Sequence, residues 1–242
     1  SEEEIENEIA TALIPHLKTN VLDAVYFYGA GCVPDKVPMM YNALSTHLNT
    51  KNGIEVNTDM LAVARGLCGH KPGIACIMGT GSNSCFYDGE KIVSNVSPLG
   101  FILGDEGSGA VLGKLLVGDM LKNQMTPELK EKFLNKTGLT PPEIIDRVYR
   151  QPFPNRFLAS LSPFLAENIQ EPSVHALVLG SFKAFFQRNV MQYDYKNHPV
   201  HFIGSVAYHY QDILHEAARE LEIQITTIVK SPMQGLMTFH QS

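Results

Sequence analysis

The sequence predicts an α/β protein built as two lobes, and three observations carry that expectation. Helices and strands alternate through residues 1–72 in the manner of parallel strands joined by helices. Directly after Pro72-Gly73, three short strands follow one another as an antiparallel meander. The chain then closes with a helix–strand–helix–strand–helix series.

In chain order, Ile5, Ile9, Leu13 and Leu17 recur at helical spacing and predict an amphipathic helix over 3–18. Ser1 followed by Glu2, Glu3 and Glu4 suits its start, with a hydroxyl cap and carboxylates at the positive end of the helix dipole. A strand over 21–31 ends in the turn Gly29-Ala30-Gly31, a helix spans 39–49, a strand over 54–59 ends at Asp59, and a helix covers 60–68. Strands follow over 73–79, 83–89 and 90–96, with Asp88-Gly89 as a two-residue hairpin signal. A glycine-rich turn leads into a helix within 100–121, and a helical stretch over roughly 126–170 is broken by Pro141-Pro142, Pro152 and Pro154. A long helix over 173–193, a strand over 198–207 containing Gly204-Ser205, a helix over 210–222, a strand over 223–229 and a final helix complete the chain.

A three-strand meander followed by helix–strand–helix–strand is the order of a ribonuclease-H-like lobe. It assigns 73–242 to a C-terminal lobe, whose closing helix at 231–242 is expected to pack back on the N-terminal lobe. Residues 1–72 read as the remainder of an N-terminal lobe whose opening meander is missing, an incomplete lobe in a chain that is expected to be a piece of a longer protein.

Composition narrows the functions. The 242 residues are 44% hydrophobic and 18% charged, enough apolar matter for a sizeable core. The formal charge is −6 and no block of lysines and arginines occurs, which argues against nucleic acid and anionic membranes as partners. No apolar stretch is long enough to cross a bilayer. Cys32, Cys68, Cys76 and Cys85 form no C-x-x-C, which fits reduced thiols in a cytoplasm rather than a disulfide scaffold.

Four stretches carry candidate chemistry, and each has a plain structural alternative. Gly79-Thr80-Gly81-Ser82 lies between two meander strands, not before a helix, so it is no dinucleotide fingerprint. Its glycines allow close backbone approach and can aim successive N–H groups at one anion; the alternative is a tight turn. Asp105-Glu106-Gly107-Ser108-Gly109 opens a helix whose free N–H groups favour anions, while Asp105 can accept from substrate hydroxyls; the alternative is helix capping. Gly113-Lys114 fails the P-loop pattern on both sides. Thr58-Asp59 stands at a strand's carboxyl end, where α/β proteins bind ligands and a carboxylate can take a proton from an attacking hydroxyl; the alternative is an N-cap. Gly204-Ser205 ends a strand with residues small enough for an adenine or ribose to lie on the backbone, or serves as a packing turn. His215-Glu216-x-x-Arg219 lacks the second histidine of a zinc protease, and the aromatic stripe over 181–190 reads as core.

In this order, an Asp at a strand end, GTGSN in a meander, LGDEGSGA before a helix and a Gly-Ser turn after a late strand resemble the sugar kinase/actin/Hsp70 superfamily. Within it they resemble the N-acetylglucosamine kinase and BadF/BadG/BcrA/BcrD ATPase family, over nearly the whole chain. The resemblance implies two actin-like ATPase lobes with a central cleft, and ATP-dependent phosphorylation of an amino sugar, N-acetylglucosamine at O6 first among them. It implies Asp59 as catalytic base, with Thr58, Asn83, Asp105 and Ala30 as sugar contacts. Gly79, Thr80, Gly81, Ser82 and Gly107 would serve the phosphates, and Gly204, Ser205 and Ala207 the nucleotide. Mg²⁺ would ride on the ATP phosphates, with no metal site of the protein's own. Partners would be a small sugar and ATP, and a homodimer is compatible with this picture. Two features depart from the family: residues 1–30 hold no D-x-G-x-T phosphate loop, and the nucleotide turn is Gly-Ser rather than Gly-Gly. Two other functions remain open from the sequence: an ATPase activator of an acyl-CoA dehydratase or reductase, and a non-catalytic nucleotide or sugar sensor.

Overall fold

The computed structural model describes residues 2–241, so Ser1, the expected cap of the first helix, and Ser242 lie outside them. The chain forms two compact units, residues 1–62 and 63–242.

In the smaller unit, β1 (Val25–Gly29) and β2 (Ile54–Thr58) pair in parallel, with Val25 opposite Ile54 and Gly29 opposite Thr58. A parallel pair needs a crossover, and α2 (Val37–His47) supplies it. Val25 and Phe27 alternate with the exposed Tyr26, and join Ile54, Val56, Ala43, Leu44 and Ile9 in one apolar cluster. The helix expected over 3–18 changes hydrogen-bonding pattern along its length. Regular α1 (Glu2–Glu8) widens to a π-turn over Ile9–Leu13 and tightens to a 3₁₀ turn over Ile14–His16. Pro15 is the cause: it cannot donate and its ring crowds the carbonyl four residues back.

α3 (Asp59–Cys68) contains the boundary between the units. The larger unit holds a five-stranded sheet in the order β5-β4-β3-β6-β7. β3 (Gly73–Met78), β4 (Ser82–Tyr87) and β5 (Ile92–Val96) are antiparallel, while β6 (Val200–Ile203) and β7 (Ile225–Val229) run parallel to β3. This is the ribonuclease-H-like order that the element succession predicts. On one face of β3, Ile74, Cys76 and Met78 meet Phe202 of β6, Leu112 and Leu116 of α5 (Gly109–Leu121), and Val178, Phe182, Phe185 and Phe186 of α10 (Pro172–Arg188). The aromatic stripe of α10 is therefore core, as its helical spacing predicts.

Three local expectations are corrected. The β4–β5 connection is not a two-residue hairpin. The Asp88 carboxylate accepts from the Glu90 and Lys91 amides at 2.8 Å each, and the turn closes over four residues, 88–91. The helix within 100–121 is two helices, α4 (Gly100–Leu103) and α5, parted by a loop in which Asp105 and Gly107 have φ of +53° and +73°. The strand expected to reach 207 stops at Ile203, because Gly204 at φ +123° turns the chain into α11 (Ser205–His209). Between α5 and α10, α6 (Pro127–Thr137), α7 (Pro141–Tyr149), α8 (Pro154–Ser160) and α9 (Ser162–Glu167) each carry a proline in the first turn, where its missing N–H costs nothing. After β6, α12 (Gln211–Glu220) leads to β7, and α13 (Met233–Gln241) closes the chain. α13 packs on α3 at Gly235, where an added Cβ would lie 1.9 Å from the Gly66 carbonyl oxygen.

α5 and α8 approach so closely that a Cβ on Gly113 would lie 1.9 Å from the Leu158 carbonyl oxygen, whereas one on Gly118 meets nothing within 4 Å. Gly113→Ala is expected to lower stability by about 2–3 kcal/mol through overpacking. Gly118→Ala, in the same helix, is expected to raise it by about 0.5–1 kcal/mol through helix propensity. Urea unfolding of both variants checks the pair; equal effects would refute the close contact.

The opposite face of the sheet buries His201 beside Cys68 of α3 and Cys85 of β4; the Nδ1 of His201 has no hydrogen-bond partner. Burial holds this imidazole below its usual 6.5, and pushes the Cys68 and Cys85 thiols up to about 12, so the thiols do not titrate with it. The unfolded chain takes a proton below about 6.5 that the native state resists. This contribution to stability is therefore intact above that pH and declines as pH falls through it. Unfolding free energies measured from pH 7.5 to 5.5 are expected to fall less steeply in His201→Leu than in the native sequence; parallel slopes would rule the effect out.

Candidate functional site

In the smaller unit the register sets the carboxyl ends of β1 and β2 side by side, and so brings the Gly29-Ala30-Gly31 turn next to Thr58 and Asp59. Gly31 turns the chain at φ +71° and Ala30 is exposed. The turn borders a small cavity of about 260 Å³ reached also by Phe27, Lys36 and Met39. The Thr58 hydroxyl accepts from the Leu61 amide at 3.2 Å, which makes it the N-cap of α3. Asp59 Oδ1 accepts from the Met60 amide at 2.8 Å, and the side chain is exposed, with no partner for its other oxygen among the described residues. The capping alternative is thus real for both residues, and it orients the carboxylate.

In the larger unit the GTGS turn links β3 to β4. Its carbonyls accept from the start of α5: Gly109 N–H donates to Gly79 O at 2.8 Å and Ala110 N–H to Thr80 O at 3.1 Å. The Val111 amide donates to the Ser108 hydroxyl and the Leu112 amide to the Ser108 carbonyl. The first-turn donors of α5 are therefore committed within the protein. This corrects the expectation that free N–H groups there await an anion. The Gly107 amide is committed too, donating to the Ser181 hydroxyl at 3.1 Å, and Gly107 is buried with a Cβ position 2.8 Å from the Met78 methyl. The donors that remain are on the turn itself. The amides of Thr80 and Gly81 enter no backbone hydrogen bond, and Thr80 is exposed.

Asp105 stands over this turn: a Cβ on Gly81 would lie 3.1 Å from its Oδ2. Burial pushes the Asp105 carboxyl above its ordinary value, the neighbouring Glu106 adds to the rise, and the Ser82 amide and Lys114 oppose it. Ser82 is buried and its hydroxyl donates to the Glu106 carbonyl at 2.9 Å, so it braces the loop and its side chain has no surface for a ligand. Asn83 is half-buried; its Oδ1 accepts from the Ser84 amide at 2.9 Å and from Asn95 Nδ2 at 3.0 Å, which leaves its own NH₂ to face outward.

Gly204 closes on the same strand end. A Cβ there would lie 2.3 Å from the Met78 carbonyl oxygen and 3.2 Å from the Gly79 nitrogen. Ser205 is exposed at the start of α11, on the wall of a cavity of about 510 Å³ that also includes Ser162, Ala166, Val206 and His209. Ala207 is different: its side chain is fully buried in the core, so only its backbone is left for a nucleotide. The structure thus gathers Gly79–Ser82, Asp105, Gly107 and Gly204 at the carboxyl end of β3, with Asn83 on β4 beside them.

Sequence reasoning missed the residues behind this loop. Arg188 Nη1 lies 2.7 Å from Glu106 Oε1, the buried Asn189 reaches Glu106 Oε2 at 3.4 Å, and the buried Ser181 holds Gly107. All three belong to α10 or its end, roughly eighty residues along the chain, and only Ser181 and Arg188, one helical stretch apart among the phenylalanines, hint at a polar edge.

No family model matches the sequence, and neither does any curated protein. Solved structures do. A candidate N-acetylglucosamine kinase from Porphyromonas gingivalis is 50% identical, over 99% of this chain and 86% of its own, with a TM-score of 0.95. A candidate N-acetylglucosamine kinase from Chromobacterium violaceum is 18% identical over 99% of this chain and 87% of its own, at a TM-score of 0.75. A ROK family protein from Streptococcus pneumoniae, solved with sucrose, is 12% identical over 99% of this chain and 86% of its own, at 0.50. The last two speak for the fold alone.

The sheet order, the turn at the end of β3 and the 50% identity to the Porphyromonas gingivalis protein define a sugar kinase of the actin-like, ribonuclease-H-like class. Within that class, identity over nearly the whole chain places the protein in the N-acetylglucosamine kinase family.

Because Gly204 combines a left-handed φ with contact on the Met78 carbonyl, Gly204→Ala is expected to cost about 3 kcal/mol and to shift the GTGS turn. Thermal unfolding and the amide NMR shifts of Thr80 and Gly81 measure both effects; unchanged shifts would show that the two segments do not share this contact.

Proposed function

We propose that the protein transfers the γ-phosphoryl group of ATP to O6 of an amino sugar, with N-acetylglucosamine as the first substrate to test. The observation that supports this most directly is the oriented, half-free carboxylate of Asp59 at the carboxyl end of β2, beside the Gly29-Ala30-Gly31 turn. The names of the two N-acetylglucosamine kinase relatives support the choice of sugar.

In this reading Asp59 takes the O6 proton as the oxygen attacks the γ-phosphorus, and the bond to the β–γ bridging oxygen breaks to release ADP. Thr58 and Ala30 lie beside Asp59 as sugar contacts. Asp105 accepts from sugar hydroxyls, and Asn83 donates through its outward NH₂. Phosphate oxygens are met by the amides of Thr80 and Gly81 and by the Thr80 hydroxyl, with Gly79 allowing the close approach and the buried Gly107 packing behind the turn. The nucleoside occupies the cavity walled by Ser205, below Gly204 and the Ala207 backbone. Mg²⁺, bound with the nucleotide, would supply neutralisation of the charge that develops on the phosphates. Among the described residues no three His, Cys, Asp or Glu side chains come together as a metal site. Positioning and charge stabilisation carry most of such a reaction. No helix is long and apolar enough to cross a membrane; we propose a cytoplasmic location on the strength of the ATP requirement and the four free thiols. The same cysteines favour a kinase over an iron–sulfur activator: Cys32, Cys76 and Cys85 are buried, and burial raises the Cys76 and Cys85 thiols.

Asp59→Asn in the full-length protein is expected to reduce sugar-stimulated ADP release by about a thousandfold while sugar binding stays within about threefold. A coupled ADP assay over a panel of hexoses and hexosamines, with calorimetric binding in parallel, checks both. Undiminished turnover in the variant would remove Asp59 from the chemistry, and no sugar-stimulated turnover in the native protein would overturn the reading itself.

A further inference from the structure

We propose that Arg188, at the C-terminal end of α10, is a positioning residue for Asp105, acting through Glu106. The inference rests on the proposed role of Asp105 as a sugar contact.

Asp105 is held in a conformation it would not choose. Its φ of +53° is in the left-handed region, which costs a residue with a Cβ about 1 kcal/mol. Its backbone is tied at both ends: its amide donates to Pro98 O at 2.9 Å, and its carbonyl accepts from the Ser108 amide at 3.0 Å. The side chain is placed from Glu106 onward. The Glu106 carbonyl accepts from the Ser82 hydroxyl at 2.9 Å, and the Asp105 carboxylate lies over the preceding residue, Gly81, where a Cβ would be 3.1 Å from its Oδ2. The Glu106 carboxylate is only 13% exposed, and its partners are Arg188 on one oxygen and Asn189 on the other. Ser181, on the same helix, holds the next amide, Gly107. Glu106 and Gly107, the two residues that follow Asp105, are thereby registered against α10 and β4.

Arg188 also matters electrostatically. Glu106 is a like charge beside Asp105, and the groups that oppose it are Lys114 of α5 and the Ser82 amide. Lys114 is not free to do more, since its ammonium donates to the Phe101 carbonyl at 2.6 Å. Arg188 is the cation in contact with Glu106, and its place in the last turn of α10 suits the negative end of that helix dipole. Without it a nearly buried carboxylate is left unpaired next to Asp105. The sugar-binding form of Asp105 is the carboxylate, present above its pKa and lost as pH falls through it. Removing Arg188 therefore moves that loss to higher pH.

The test uses the full-length protein with Arg188→Ala, Arg188→Lys, Glu106→Gln and the double variant R188A/E106Q. Arg188→Ala is expected to raise the sugar KM about tenfold, leave the ATP KM within about twofold, and move the acidic limb of kcat/KM for sugar to higher pH. Arg188→Lys restores part of the affinity. R188A/E106Q returns the acidic limb to its native position, because no unpaired carboxylate remains; a purely structural loss would not be rescued by a second substitution. Carbon-13 carboxyl titration of Asp105 reads the same displacement without turnover. A displaced Asp105 titration in a protein without sugar kinase activity upholds the link and overturns the proposed function. Sugar kinase activity with an unmoved titration and unmoved sugar KM in Arg188→Ala overturns the link.

Discussion

The end of β3 is the constraint on which the larger unit depends. Three segments converge there, the GTGS turn, the start of α5 and the turn after β6, and at Gly204 there is no room for a side chain. The Met78 carbonyl faces Gly204, and the Gly79 carbonyl takes the first amide of α5. A ribonuclease-H-like sheet places the carboxyl ends of β3 and β6 side by side, because those strands are parallel neighbours. Their turns must then share one small volume. Backbone–backbone contact is the densest way to fill it, and glycine is what permits it.

This convergence decides which donors can serve a ligand. A helix start is ordinarily an anion site, and the glycine-rich entry to α5 invites that reading. Here the amides of Gly109, Ala110, Val111 and Leu112 all have acceptors within the protein. The amides that enter no backbone hydrogen bond among the described residues lie a few residues away, at Thr80 and Gly81. The helix contributes rigidity instead: it holds the two carbonyls of the turn so that the next two N–H groups project together. A turn fixed in this way has little conformational freedom left to lose, which suits the phosphate role proposed for it.

The same distinction explains what could be read in the sequence. Sheet order and the class of fold were legible, because strand period, helix period and the succession of elements are local patterns. The motif residues Gly79, Asp105 and Gly204 were legible because glycines and carboxylates at strand ends are chemically unusual. The direction in which each group points was not. Nothing in GDEGSG says that Ser82 will brace the loop from behind, or that Ser108 will take the cap of α5. Arg188 was out of reach for a different reason. Its partner is a carboxylate on another element, and α10 declares itself locally by its phenylalanines, which are core. The π-turn at Ile9–Leu13 falls between these cases, since Pro15 announces a break but not the geometry that accommodates it.

Capping and chemistry are usually weighed against each other when a carboxylate stands at a helix start. In the role proposed for Asp59 they are one arrangement. Asp59 gives one oxygen to the Met60 amide and Thr58 gives its hydroxyl oxygen to Leu61, so the first turn of α3 fixes the rotamers of both. A base must be within hydrogen-bond reach of the proton it takes, and an exposed aspartate free to rotate would rarely be. The cap removes that freedom while leaving the second oxygen open. The Ser108 cap serves Asp105 in a related way, because the Ser108 amide holds the Asp105 carbonyl while its hydroxyl starts α5. At Asp59 one bond serves both the helix start and the carboxylate, whereas Ser108 uses its hydroxyl for the helix and its amide for the Asp105 backbone; a substitution at Asp59 that preserved the charge but lost the cap would leave the acid present and misplaced.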